Sequence, residues 1–274
     1  MKIKPLKLGS FEVEYPFTIP SGIVTTTADT IYRIADDIPE IGIITTKSIG
    51  PCKRGGNLEP VLEQIKPDTF LNAVGLANPG YDEFAEELKD LYPLPKNKFL
   101  LTSIFGKDEE EFVEISKKLA LISNGLELNF SCPHASGYGM FIGQSPELTE
   151  KITKAVRKAV DIPVAVKLTP NVSNMGEIAK AAARGGADAI VAINTLGPYE
   201  SKILTNKKGG MSGGGIKNVG TAYVYQIRRA VDLPIIAMGG ISSAENVRFY
   251  ESVGANGFGI GSALIGMNTE QIKN

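Results

Sequence analysis

The chain has 274 residues, a formal net charge of −1 and acidic and basic side chains spread along its length, which excludes a basic nucleic-acid-binding surface and an acidic disordered tail. No apolar run reaches the roughly 18 residues that a membrane span needs, and the opening "MKIKPLKLG" lacks the apolar centre of a secretory signal. Two distant cysteines build no disulfide framework, so the expected setting is the reducing cytoplasm.

The first element expected is a β-hairpin over 2–15, where apolar and polar residues alternate about Gly9-Ser10. Eight short β-branched runs follow, at 17–20, 41–46, 99–105, 125–130, 164–168, 189–194, 235–239 and 257–261. Amphipathic helical patterns lie between most of them. The pattern at 108–122 opens with an acidic turn that suits the helix dipole. The one at 145–160 opens with Ser145 as N-cap and Pro146 at the first helical position, with Leu148 leaving no full capping box. A third, at 242–254, ends on Gly254. Continuous apolar strands alternating with helices imply a parallel sheet. Eight such units imply one domain over 1–274, a closed (β/α)8 TIM barrel with an N-terminal β-hairpin; the competing arrangement is an open doubly wound sheet. Segments 47–80 and 195–220 read as long loops at the C-terminal face of the barrel, where such barrels carry their active sites.

Several residues on that face carry chemistry. Gly239-Gly240 and Gly261-Ser262 end the seventh and eighth strands, where glycine-rich turns let backbone N–H groups approach a phosphate. The cluster Gly209–Gly215 could close over the same anion. Lys167 sits inside the apolar run "VAVKL", a costly place for a charge unless it is paired or meets a bound anion; Lys47 ends the second strand similarly. Asn72, Asn129 and Asn194 offer amides that suit a planar ligand with alternating carbonyl and N–H groups. Cys132 and His134, the chain's single histidine, stand two apart in "SCPHASGYG" after the fourth strand. Too few thiol and imidazole ligands accompany them for a metal site, so no metal is expected. A Cys-His nucleophile pair, a buried structural thiol and a single proton acceptor on a mobile loop all remain open, the last being preferred.

Read together, "PSGI" (20–23), "TTKS" (45–48), "NAVGLANPG" (72–80), "NFSCP" (129–133), "VKLTPNV" (166–172), "INT" (193–195), "GGMSGGGIK" (209–217), "MGGI" (238–241) and "GIGSAL" (259–264) resemble the soluble, class 1 dihydroorotate dehydrogenase family. The resemblance is greatest to the NAD-linked branch. It implies an FMN-dependent barrel that oxidises dihydroorotate to orotate in pyrimidine (UMP) biosynthesis. It makes Cys132 the base that removes the proton from C5 of the substrate. Lys47 and Lys167 would contact the flavin; Ser21, Ser48, Ser103, Asn129, Ile193 and Gly213 would line it; Gly239, Gly240, Gly261 and Ser262 would hold its phosphate. The substrate would meet Lys47, Asn72, the segment Ala73, Val74, Gly75 and Leu76, Asn129, His134, Asn194 and Thr195. Electrons would leave through a partner bearing FAD and an iron–sulfur cluster, on a homodimer extended to a heterotetramer, because two cysteines cannot hold a cluster that commonly takes four.

The sequence departs from the family pattern at several places. His134 stands where many members have Asn, and "SCPH" resembles the dihydropyrimidine dehydrogenases, whose uracil-type substrates are the alternative. Val61 stands where Arg is common, Asn218 where Pro is usual, and Ser103 where the NAD-linked branch often has Asn. A non-redox barrel binding a phosphorylated metabolite, with Cys132 structural, is the remaining reading.

Overall fold

The computed structural model describes residues 3–131 and 142–273. In chain order its first half contains β1 (Leu6–Leu8), β2 (Phe11–Val13), β3 (Phe17–Ile19), α1 (Ala28–Asp37), β4 (Ile43–Thr45), β5 (Leu62–Lys66), β6 (Thr69–Asn72), α2 (Tyr81–Lys89), β7 (Phe99–Ile104), α3 (Glu109–Leu119) and β8 (Gly125–Asn129). The second half contains α4 (Pro146–Ala159), β9 (Val164–Leu168), α5 (Met175–Arg184), β10 (Ala189–Ala192), β11 (Leu196–Glu200), β12 (Lys208–Gly213), α6 (Lys217–Ala230), β13 (Ile235–Met238), α7 (Ala244–Ser252), β14 (Gly257–Gly259) and α8 (Thr269–Lys273).

Alternation along the strands decides the architecture. Side chains of one strand point to opposite faces in turn, and here both faces are apolar. Ile44, Leu100, Leu126, Val164, Val166, Ile190 and Ile235 face the helices. Their neighbours Ile43, Phe99, Leu101, Ala165, Ala189, Val191 and Ile236 form a second cluster inside the sheet. A parallel sheet buried on both faces closes on itself. The eight expected strands pair in the order β3-β4-β7-β8-β9-β10-β13-β14, with β14 returning to β3. The hairpin β1–β2 adds Leu6, Leu8 and Val13 to the interior cluster and so plugs one end of the barrel. No helix among the described residues is long and apolar enough to cross a membrane.

Local signals hold well at the helix starts. Ser145 accepts a hydrogen bond from Leu148 N at α4, without a reciprocal box. Asp108 caps α3 from Glu111 N. Gly254 lies one residue beyond the C-cap of α7 with φ of 110°, a conformation that favours glycine.

Two segments differ from expectation. Segments 47–80 and 195–220 are not simple loops: they hold β5, β6, β11 and β12, which join in a four-stranded antiparallel sheet of order β11-β12-β6-β5. The strands escape a periodicity reading because β5 is mostly exposed and β12 is rich in glycine. The pairing of β6 with β12 also joins residues far apart in sequence, such as Asn72 and Gly210.

Polar side chains lock the hairpin end of the barrel. Asn124 Oδ1, Asp188 Oδ2 and Asn256 Oδ1 accept a backbone N–H at the start of the neighbouring strand, at Leu100 (2.8 Å), Val164 (2.8 Å) and Ile235 (3.0 Å). Arg157 and Arg228 repeat one device. Each donates to the carbonyls that follow its own helix and to Asp188 or Asn256 respectively. Lys98, only 3% exposed, donates to the carbonyls of Ile38 (2.6 Å), Pro39 (3.2 Å) and Ile41 (2.8 Å). Lys98→Met keeps the stem but strips the donors from these carbonyls. It is expected to destabilise by ~3 kcal/mol, measured by chemical unfolding, and a loss under ~1 kcal/mol would mean that water replaces the ammonium.

Candidate active site

The inward face of the barrel changes character along its axis. On three of the strands the residue two positions beyond an apolar interior side chain is polar: Thr45 after Ile43, Ser103 after Leu101, Lys167 after Ala165. Glu127 takes the same place on β8, two residues beyond Gly125. All four of these polar side chains are buried. The end opposite the hairpin therefore collects hydrogen-bonding and charged groups at the C-terminal ends of adjacent strands.

These groups form one connected chain. Ser21 Oγ lies 3.0 Å from Ser48 Oγ, Ser48 Oγ lies 2.8 Å from Ser103 Oγ, and Ser103 Oγ donates to Glu127 Oε1 at 2.8 Å. A carboxylate only accepts, and each hydroxyl has one proton, so the direction is set: Ser21 donates to Ser48, Ser48 to Ser103, and Ser103 to Glu127. Asn129 Nδ2 also donates to Ser48 Oγ, at 2.9 Å. Asn194 Nδ2 donates to Asn129 Oδ1 at 3.3 Å, and Thr195 N donates to Asn194 Oδ1 at 2.8 Å. Side chains from β8 and from the segment after β10 are thereby held in one network of bonds. Ile193, whose peptide bond with Ala192 is cis, is buried.

Lys47 and Lys167 differ in their surroundings. Lys167 Nζ lies 3.6 Å from Glu127 Oε1, with both side chains buried. Lys47 is partly buried after β4, and its ammonium has no hydrogen bond or ion pair among the described residues. Desolvation pulls its pKa below the usual lysine value.

Asn72 and Thr195 meet across Gly210. Asn72 Nδ2 donates to Gly210 O at 3.3 Å, and a Cβ on Gly210 would lie 2.3 Å from Thr195 Oγ1. Only glycine lets the two approach. The neighbouring segment Ala73, Val74, Gly75 and Leu76 turns sharply, with positive φ at Gly75 (79°) and Leu76 (57°). It is held from both sides. Asn57 Nδ2 donates to Ala73 O at 2.7 Å, and Asn78 Nδ2 donates to Leu76 O at 2.8 Å. Asn78 Oδ1 also accepts from Gly50 N and Gly80 N.

The glycine turns come together at the same mouth. Gly239 and Gly240 have φ of 118° and 71°, and a Cβ on Gly240 would lie 2.9 Å from Gly213 O. Ser262 Oγ donates to Ser212 Oγ at 2.9 Å, joining the end of β14 to β12. A Cβ on Gly261 would meet nothing closer than 3.5 Å. The buried Tyr250 donates to Gly239 O at 2.7 Å, which turns that carbonyl into the core; burial pushes the Tyr250 hydroxyl pKa up.

Of the residues singled out from the sequence, Cys132 and His134 lie outside the described residues. The remainder fall at or beside the strand ends on one face of the barrel. Four residues were not anticipated: Glu127, Asn57, Asn78 and Tyr250. Glu127 carried a readable signal, a charge inside the apolar run "GLELNF" two residues before Asn129, matching Lys167 in "VAVKL" on the next strand. The other three act through backbone groups and have no sequence signature.

The family model for dihydroorotate dehydrogenase matches residues 6–274. A Methanocaldococcus jannaschii protein named dihydroorotate dehydrogenase B (NAD(+)), catalytic subunit, is 43% identical over 262 residues, which span 92% of this chain and 84% of that one. The Pyrococcus horikoshii protein of the same name is 39% identical, over 94% of this chain and 86% of its own. A solved structure of DHODH from Eimeria tenella in complex with ferulenol superposes with a TM-score of 0.85 at 19% identity, covering 98% of this chain and 82% of that one, which speaks to the barrel fold. With a matching family model over nearly its whole length and relatives near 40% identity, this chain belongs to the dihydroorotate dehydrogenase family.

Proposed function

We propose that this chain is the FMN-bearing catalytic subunit of a dihydroorotate dehydrogenase that works in cytoplasmic pyrimidine biosynthesis and hands its electrons to NAD through a partner subunit. The observation that carries this reading is the convergence of two features on one barrel mouth. One is a set of glycine turns packed so closely that a Cβ would clash with neighbouring protein atoms, at Gly210, Gly213 and Gly240; the other is a polar chain that ends on a buried carboxylate.

The residues fit the cofactor. The backbone of Gly239, Gly240, Gly261 and Ser262 would hold the phosphate, as turns without Cβ atoms can. Ser21, Ser48, Ser103, Asn129, Ile193 and Gly213 would border the ring, with Lys47 and Lys167 as its charged neighbours. FMN when bound supplies the acceptor for the hydride leaving C6 of dihydroorotate. The amides of Asn72, Asn129 and Asn194, the hydroxyl of Thr195 and the segment Ala73, Val74, Gly75 and Leu76 would hold the flat pyrimidine and its carboxylate, beside Lys47. Cys132 would take the C5 proton on its sulfur. A thiol with a reference pKa of about 8.5 does this better as pH rises.

Two cysteines cannot build a four-cysteine cluster, so onward transfer would fall to a partner carrying FAD and an iron–sulfur centre. The assembly proposed is a homodimer of this chain flanked by two such partners. His134, following Cys132-Pro133, favours a second reading in which the substrate is an uracil-type dihydropyrimidine.

One experiment separates these readings. The pure chain, loaded with FMN under anaerobic conditions, is mixed in turn with dihydroorotate and dihydrouracil while flavin absorbance is followed. Rapid bleaching by dihydroorotate is expected, with dye reduction far faster than NADH formation. Bleaching by dihydrouracil alone would move the substrate to the second reading. A colourless protein that takes up no flavin would leave the non-redox barrel.

A further inference from the structure

We propose that Glu127 is a positioning residue that neutralises Lys167, so that Lys167 meets the flavin as half of a neutral pair and Lys47 supplies most of the positive field there. The inference rests on the FMN reading above. Glu127 is fully buried on the inward face of β8, and Lys167 lies on the adjacent strand at 4% exposure. The register sets Lys167 level with Asn129 and sets Glu127 level with Ala165, two residues nearer the hairpin end. The ammonium therefore leans back into the barrel to reach Oε1 at 3.6 Å.

That distance makes an ion pair but not a hydrogen bond. The donors of Lys167 stay available to a ligand, while its charge is already balanced. On the carboxylate, Oε1 receives Ser103 and Oε2 is buried without a hydrogen-bond partner among the described residues. A lone buried charge of either sign is costly, so each member of the pair requires the other. Beyond a few ångströms opposite unit charges act as a dipole, whose field falls faster than that of a single charge. Lys47 has no carboxylate partner among the described residues, so its field reaches the ring undiminished by a neighbour.

The family resemblance treats the two lysines alike, as contacts of the flavin. Removing the carboxylate separates the two views. Glu127→Gln keeps an oxygen for Ser103 and deletes only the negative charge, which leaves Lys167 uncompensated. The test is the midpoint potential of bound FMN, equilibrated against reference dyes, with FMN affinity measured in parallel. The expected result is at least a tenfold shift of the two-electron equilibrium toward reduced flavin, about 30 mV more positive. The paired replacement Glu127→Gln with Lys167→Met removes the uncompensated charge, so it should fold and lose most of the positive shift that the single variant shows. If the single variant does not fold, a double variant that folds and holds FMN supports the pairing, and one that also fails to fold overturns it. A folded, FMN-loaded Glu127→Gln chain with an unmoved or more negative potential overturns the pairing role, as does a double variant whose potential is as positive as that of the single variant. A wild-type chain that holds no FMN overturns the functional reading and this inference with it.

Discussion

Cys132→Ala is expected to leave FMN content unchanged and to slow flavin reduction by dihydroorotate by about two to four orders of magnitude, the usual worth of a positioned base. The C–H bond at C5 breaks only if something accepts the proton. With the thiol gone, the amides and hydroxyls among the described residues at the mouth, such as Asn129, Asn194 and Ser48, are already engaged with one another. Anaerobic stopped-flow absorbance measures this step without involving the electron-transfer partner. Cys132→Ser should retain part of the rate, and that part should rise with pH because a hydroxyl yields its proton less readily than a thiol. A Cys132→Ala chain reduced at close to the wild-type rate would return Cys132 to a structural thiol and shift attention to His134.

The second large effect concerns stability. Lys167→Met leaves Glu127 in the barrel interior with Ser103 as its single remaining partner among the described residues. An uncompensated buried carboxylate costs on the order of 3–5 kcal/mol. For a chain of this size that corresponds to a fall in Tm of ~10 °C. Adding Glu127→Gln should recover most of the loss, because the cost lies in the stranded charge and not in the missing lysine. Calorimetry on the flavin-free protein keeps ligand stabilisation out of the comparison. A single Lys167→Met variant as stable as wild type would mean that the carboxylate gains another partner once the lysine is removed.

Both expectations depend on features of unequal legibility. The eight barrel strands are short apolar runs, such as "VAVKL" and "AIVAIN", and the helices between them carry their own caps at Asp108, Ser145 and Ser243. Such features depend on residues within a few positions of one another, so periodicity and capping chemistry reveal them. The glycine turns after β13 and β14 are legible for the same reason, since a positive φ at Gly239 and Gly240 is a local requirement. Motif order then carried the family resemblance.

Partnership was decided elsewhere. Lys167 could be read as a charge in need of a partner, but only the β8–β9 register brings it to Glu127. Gly210 reads as one glycine in a run, until β12 pairs with β6 and sets it between Asn72 and Thr195. The supports Asn57, Asn78 and Tyr250 bind backbone carbonyls that any residue could supply. By itself the sequence determined the eight strand–helix units, their caps and the glycine turns at the mouth, because those are set by neighbouring residues. The tertiary structure alone decided the β6–β12 pairing, the serine chain into Glu127 and the buried ion pair: the first joins residues 138 apart, the second residues 24 to 55 apart, and the third sits on two adjacent strands, so their meeting depends on strand register and barrel closure.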